Sequence, residues 1–248
     1  MLNHPTIDKL EQMKLFGMAT GLTEQMADTT YTAMSFEERL GLLVDRESQA
    51  RENRRLTTLL KQARLRQEAC LEDIDHRAGR RIDKALLQAL GTGQWLRERL
   101  NVLITGATGV GKSYLACALG QRACQQGFVV RYFRASRLFQ ELAIARSDGR
   151  YSNVLARLRR AELLIIDDWG LAALTEPEQR DLLEVLDDRH DLRSTLISAQ
   201  LPEEHWHQVF SNRTIADAVL DRLVHSAYRF KLEGNSMRKI KSRLTGKG

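Results

Sequence analysis

The sequence predicts an α/β protein built on a mainly parallel sheet and preceded by a small all-α segment. Three observations predict it. From Asn101 onward, short apolar runs alternate with helix-length stretches, the pattern of strands and crossover helices that covers a parallel sheet on both faces. A Gly-x-x-x-x-Gly-Lys-Ser pattern, Gly106 to Ser113, stands directly after the first of those runs and opens a helix. From about Leu10 to Leu90 the chain instead has few β-branched residues and repeats its apolar residues at helical spacing.

Composition narrows the class before any motif is considered. The 248 residues are enough for one or two domains with a sizeable core, which excludes a peptide hormone or a disulfide-stapled miniprotein. Charged residues make up 28% and apolar ones 43%, so neither wholesale disorder nor a membrane protein fits. Lys and Arg number 38 against 32 Asp and Glu, a net charge of +6 that hints at an anionic partner. Cys70, Cys117 and Cys124 form no CxxC pattern and indicate neither a zinc site nor a disulfide framework. No apolar stretch approaches the roughly 20 residues that span a bilayer, and MLNHPTIDKL lacks the order of a signal peptide. The expectation is a cytoplasmic protein with reduced thiols and no membrane partner.

In chain order, Leu56, Leu59, Leu60, Ala63 and Leu65 alternate with Arg51, Arg54, Arg55, Lys61, Arg64 and Arg66, which reads as an amphipathic helix with a basic face. A helical domain over 1–75 is expected, then an α/β domain over 76–248. Gly91, Thr92 and Gly93 punctuate the chain before the period changes. The strand NVLIT follows, then a helix from Gly111 to about Gln126, the strand VVRYF and a long helix-rich insert. After these come LLIID, a helix around Pro177 to Arg189, STLIS and YRFKL. The last fifteen or so residues, GNSMRKIKSRLTGKG, read as a basic, loose tail.

Gly106, Ala107, Thr108, Gly109, Val110, Gly111, Lys112 and Ser113, with Tyr114 next, form a phosphate loop. Its glycines let backbone N–H groups approach phosphate oxygens, and the helix N-terminus adds a favourable dipole. Lys112 supplies positive charge for the β- and γ-phosphates of ATP, and the Ser113 hydroxyl can ligate Mg²⁺. The partner acid is expected at the end of a buried strand, and Leu163 to Asp168 supplies it about fifty residues later. Asp167 is expected to hold Mg²⁺ through its water shell. Asp168 stands where a general base or orienting carboxylate polarises the attacking water, the alternative being a solvated strand-end carboxylate or a helix cap. Gln200, with Ser198 as its alternate, is placed to touch γ-phosphate and water, the alternative being a polar loop residue. Trp206, between His205 and His207, reads as a packing residue, and so do Cys117 and Cys124.

With these residues in hand the chain resembles an AAA+ ATPase of the helicase-loader clade and, within it, the IstB-like ATP-binding proteins that help insertion-sequence transposition. GATGVGKSYLA, LLIIDDWG, STLISAQLPEEHW and IADAVLDRLVHSAYRFKLEGNSMRK carry the likeness, which covers most of the chain. It implies an ATP-hydrolysing P-loop sheet of order 5-1-4-3-2, nucleotide bound between neighbouring subunits, and duplex DNA held by the assembly and delivered to a transposase. Arg222, in DRL, matches the arginine finger that reaches a neighbour's γ-phosphate, the alternative being a helix-surface ion pair. Arg238, in SMR, matches a sensor-like arginine. Asp168 replaces the commoner Glu, and too few residues follow STLIS for a full helical lid.

Charge is segregated along this second domain. Residues 131–160 carry a net +6 and residues 161–188 a net −8. The resemblance turns the insert after the second strand toward DNA, and Arg134, Arg137, Arg146 and Arg150 are the candidate phosphate contacts, largely indifferent to sequence. The basic helix from Arg51 to Arg66 and the tail are second candidates. The competing function is a replicative helicase loader, an ATP-switched interaction module on single-stranded DNA. A small-molecule kinase shares the phosphate loop but leaves the DRL and SMR segments unexplained.

Overall fold

The computed structural model describes residues 4–74, 82–234 and 236–237. The chain divides into two compact units, Met1–Thr58 and Leu59–Gly248.

The first unit is helical. α1 (Pro5–Gln12) starts at a proline, whose missing N–H costs nothing in the first turn, and α2 (Phe16–Ala27) follows. A 3₁₀ turn (Thr29–Ala33) leads into α3 (Phe36–Ala63). Ser35 and Glu38 cap α3 reciprocally: Glu38 N–H donates to Ser35 Oγ, and Ser35 N–H donates to Glu38 Oε2 at 2.8 Å. Glu47, buried on α3, accepts the N–H of Gly17 at 2.7 Å and that of Met18, so a carboxylate caps the start of α2. Glycine is required at position 17, because a Cβ there would lie 2.7 Å from Arg46 O and Glu47 Cα. The helices touch backbone to backbone at that point.

The second unit takes in the last turn of α3, beginning at Leu59, rather than starting near residue 76. The reason is packing. Ala63 and Ala69 are buried, Ala69 N–H donates to Gln121 Oε1 at 3.4 Å, and a Cβ on Gly120 would meet Leu65 Cδ2 at 3.0 Å. The segment after α3 therefore lies across the helix that follows the phosphate loop. α3 ends at Ala63, and Arg64 adopts a left-handed φ of 52°, so Arg66 is not part of a basic helical face.

α4 (Lys84–Gly91) and the single turn α5 (Gln94–Arg97) precede the sheet, and Trp95, buried on α5, donates its indole N–H to Leu90 O at 3.0 Å. The alternation then runs β1 (Asn101–Gly106), α6 (Lys112–Gln125), β2 (Val130–Arg134), α7 (Ala135–Ser147), α8 (Tyr151–Arg160) and β3 (Leu163–Trp169). It continues with α9 (Glu176–Asp187), β4 (Ser194–Ala199), a 3₁₀ segment (Glu203–Val209), α10 (Arg213–Val224) and β5 (Ala227–Leu232). The five strands are parallel and ordered β2-β3-β4-β1-β5, the expected 5-1-4-3-2 sheet seen from its other edge. β1, β3 and β4 are the central strands, and Val102, Leu103 and Ile104, Leu163 to Ile166, and Leu196 and Ile197 are almost wholly buried. Continuous apolar runs are what a sheet covered on both faces requires.

Two buried polar residues fix the ends of these elements. Asn101 accepts the Thr195 N–H at 2.8 Å and donates to the carbonyls of Arg222 and Leu223, tying the start of β1 to β4 and to the end of α10. Arg189 is 1% exposed and donates to the carbonyls of Leu158, Ala161 and Ser194. It fastens the end of α8 to the start of β4.

Candidate nucleotide-binding site

In a parallel sheet the loops that leave the carboxyl ends of the strands form the natural crevice for a ligand. The loop from Gly106 to Gly111 joins β1 to α6 there. Gly106 and Gly109 have φ of 150° and 84°, and their missing side chains matter, since a Cβ would lie 2.3 Å from Leu232 O and 2.2 Å from Ser236 Oγ respectively. α6 begins after Gly111, whose φ of 105° is left-handed and which has no side chain to cap the helix, so the loop leads straight into a helix N-terminus. Lys112 is mostly buried, and its Nζ donates to the carbonyls of Gly106 and Ala107, each at 2.8 Å, so the ammonium lies against the loop itself. Val110 packs inward beneath the loop. Tyr114 turns its hydroxyl to Cys70 O at 3.5 Å.

Asp167, fully buried at the end of β3, is the hub. Its Oδ1 accepts from Ser113 Oγ at 3.1 Å and from Ser198 Oγ of β4, and its Oδ2 accepts from Tyr132 Oη of β2 at 2.5 Å. Three strands and the phosphate-loop helix thus meet on one carboxylate. Burial and the bond to Asp167 push the Tyr132 phenol above its ordinary range, which keeps it a donor.

Asp168 departs from strand geometry. Its φ is 59°, and the pairing of β3 with β4 shifts register between Ile166 and Trp169. Aspartate is one of the few side chains that tolerate this conformation. The carboxylate, 28% exposed, has Arg66 NH1 at 3.6 Å and Arg134 Nε at 3.9 Å. Arg66 NH1 is also 3.6 Å from Asp167 Oδ2. On the β4 side, Gln200 Oε1 accepts from Thr108 Oγ1 at 2.7 Å, so Gln200 is joined to the phosphate loop, while Ser198 is committed to Asp167.

The remaining candidates lie elsewhere. Arg222, on α10, pairs with Asp187, and its backbone carbonyl is held by Asn101 at the start of β1, the opposite end of that strand from the phosphate loop. Arg238 and the tail lie outside the described residues, although Met237 N–H donates to Gly109 O at 2.9 Å. Among the candidate arginines of the insert, Arg134 faces Asp168, Arg146 pairs with Asp181 and stacks 4.0 Å over Tyr151, and Arg150 pairs with Asp148. Arg137 contacts Gln140. Trp206 packs edge-on against Trp169, and burial pushes the Cys117 thiol up and that of Cys124 up to about 12, as befits core residues.

Tyr132 was not among the candidates, and Arg66 was one only as the end of a basic helix considered for DNA. The alternating VRYFR gives no sign that one tyrosine reaches a carboxylate on the next strand. Arg66 sits in an arginine-rich run whose period suggested a helix face.

The family model for IstB-like ATP binding proteins matches residues 8–245. The chain belongs to the IstB-like ATP-binding family. It is 48% identical over 243 residues to the insertion-sequence ATP-binding protein y4pL of Sinorhizobium fredii, a match covering 98% of this chain and 99% of that protein. It is 49% identical over 203 residues to the ATP-binding protein of insertion sequence IS1162 from Pseudomonas fluorescens, covering 82% of this chain and 88% of the relative. Among solved structures, DnaI superposes with a TM-score of 0.58 at 17% identity, covering 67% of this chain and 92% of that one, a likeness of fold. As an IstB-like protein of this fold, the chain is an ATPase of the AAA+ type. No helix among the described residues is long and apolar enough to cross a membrane.

Proposed function

We propose that this IstB-like protein is an ATP-dependent helper of DNA transposition that assembles on duplex DNA in the cytoplasm and recruits a transposase. The observation that carries the reading is that Asp167 bonds Ser113 and Gln200 bonds Thr108 at one phosphate loop, with Asp168 next to Asp167 and sharing Arg66 with it, in a chain whose relatives are named for insertion sequences.

The residues divide the work as follows. Backbone N–H groups from Gly109 to Ser113 cradle phosphate oxygens, and Lys112 exchanges its two loop carbonyls for the β- and γ-phosphates. Ser113 Oγ and Asp167 Oδ1, 3.1 Å apart, are hard oxygen donors that fit Mg²⁺, an ion that keeps several waters and takes few protein ligands. When bound, Mg²⁺ neutralises charge across the phosphates. Asp168 orients the attacking water and holds its proton, and Gln200 contacts that water from the β4 side. Arg222 serves a neighbouring copy as the finger. Its place at the far end of β1 from its own loop, about 16 Å along a six-residue strand, favours action between subunits.

Duplex DNA meets the insert formed by α7 and α8. Among the described residues Arg137, Arg159 and Arg160 have no carboxylate partner, whereas Arg146 and Arg150 spend part of their charge on Asp181 and Asp148. Recruitment of the transposase falls to the helical N-terminal unit. Phe36, Leu40 and Val44 stand at successive i, i+4 positions of α3, 66%, 40% and 53% exposed among the described residues, an apolar stripe on that helix.

The test is Asp168→Asn. It is expected to keep nucleotide-dependent binding to duplex DNA and to slow ATP hydrolysis by about 10²-fold, within the range for loss of a general base. Preference for single-stranded DNA at matched salt would instead favour a helicase loader.

A further inference from the structure

We infer that Arg66 is a positioning residue for ATP hydrolysis, holding Asp167 and Asp168 in their working arrangement from the segment that follows α3. The inference rests on the assignment of Asp168 made above and adds a residue to it.

A single nitrogen, NH1 of Arg66, lies 3.6 Å from a carboxylate oxygen of each acid. The two carboxylates are adjacent in sequence, one fully buried and the other on a left-handed backbone. Like charges so placed repel, and a cation between them offsets that repulsion and fixes their separation. Arg134 reaches Asp168 but is not positioned to bridge both.

The position of Arg66 is itself specified from both sides. Before it, Arg131 donates to Gln62 O. After it, Gln121 donates to Cys70 Sγ at 3.2 Å and accepts the Ala69 N–H, and Tyr114 donates to Cys70 O. Leu65 packs over Gly120, where a side chain would collide. The arginine is thus delivered to the acids by a segment fastened to β2 and α6, not by chance exposure of a long side chain. That segment continues directly from α3, which ends at Ala63, so the arginine reaches the site from outside the phosphate loop and the sheet.

The experiment uses the full chain as wild type, Arg66→Ala, Arg66→Lys, Asp168→Asn and the double variant Arg66→Ala/Asp168→Asn. Single-turnover and steady-state hydrolysis give kcat and KM, and a fluorescent ATP analogue gives nucleotide affinity. Arg66→Ala is expected to lower kcat about tenfold or more while KM and analogue affinity move less than about threefold. Arg66→Lys should restore part of the loss, because an ammonium keeps the positive charge but not the reach and planar shape of the guanidinium. In the Asp168→Asn background the Arg66→Ala loss should largely vanish, as for residues acting through one another. Wild-type kcat in Arg66→Ala and Arg66→Lys overturns the inference. So does a loss confined to analogue affinity, or one that multiplies in full in the double variant. Wild-type kcat in Asp168→Asn refutes the assignment of Asp168 first, and the role of Arg66 with it.

Discussion

Tyr132 and Asp167 lie on adjacent strands and share a hydrogen bond of 2.5 Å inside the sheet's carboxyl end, with the phenol as donor. A buried carboxylate needs its lone pairs satisfied, and this one is served by a phenol and two serine hydroxyls. Tyr132→Phe removes a hydrogen bond to a charged group, of the class that contributes about 1.5–3 kcal/mol. The expected outcome is a fall in kcat of about tenfold, with a folded protein by circular dichroism and a loss of a few degrees in Tm. Unchanged kinetics would mean that the serines alone hold the carboxylate.

Arg222 and Lys112 can be separated between subunits. On the proposed reading, Lys112→Ala lacks a working nucleotide site but keeps Arg222, and Arg222→Ala keeps the site but lacks the finger. Each should be nearly inactive alone, and an equimolar mixture should regain activity well above the sum of the two. Fingers of this kind accelerate related hydrolyses by about 10³ to 10⁵, so even partial complementation is measurable by phosphate release. A mixture no more active than its parts would place Arg222 in the pair with Asp187 alone.

The arginines of α7 and α8 should differ in their effect on duplex DNA binding. Arg137→Ala, Arg159→Ala and Arg160→Ala are each expected to lower the slope of log affinity against log salt by about one, as for a lost phosphate contact. Arg146→Ala should change the slope less, because Asp181 already pairs with that guanidinium. Titrations by fluorescence anisotropy at several salt concentrations decide this.

Much of the site was legible in the sequence because its parts are local. The phosphate loop needs only a strand, eight residues and a helix, and the acid pair needs only the end of an apolar run. The alternation of strands and helices pointed to a parallel sheet, and its strand order came from the family likeness alone. Tyr132, Arg66 and the Thr108–Gln200 bond were not legible, since each depends on contacts between residues distant in the chain. The arginine run from Arg51 to Arg66 shows the same limit. Its period was helical, but the helix stops at Ala63, and the final arginine turns to carboxylates about a hundred residues away. Net charge by segment was similarly blunt, because Arg146 of the basic segment is paired with the buried Asp181 of the acidic one.

The N-terminal unit should respond to acid through Glu47. The hydrogen bond from Arg51, followed by the N–H groups of Gly17 and Met18, holds its carboxyl below the ordinary value of 4.5. A depressed carboxylate contributes stability that is present above the unfolded pKa and is lost as pH falls through the folded one. Thermal unfolding followed from pH 6 down to about pH 3 should show destabilisation that begins below 4.5. Glu47→Gln should be less stable at neutral pH and flatter across the same window.

The coupling of ATP to DNA is the centre of this account, and duplex DNA binding by wild type and Lys112→Ala, with and without ATP and Mg²⁺, tests it most directly. Wild type should bind the duplex far more tightly with nucleotide than without, and Lys112→Ala should show the same weak binding under both conditions. Nucleotide-dependent binding that survives in Lys112→Ala would contradict the account.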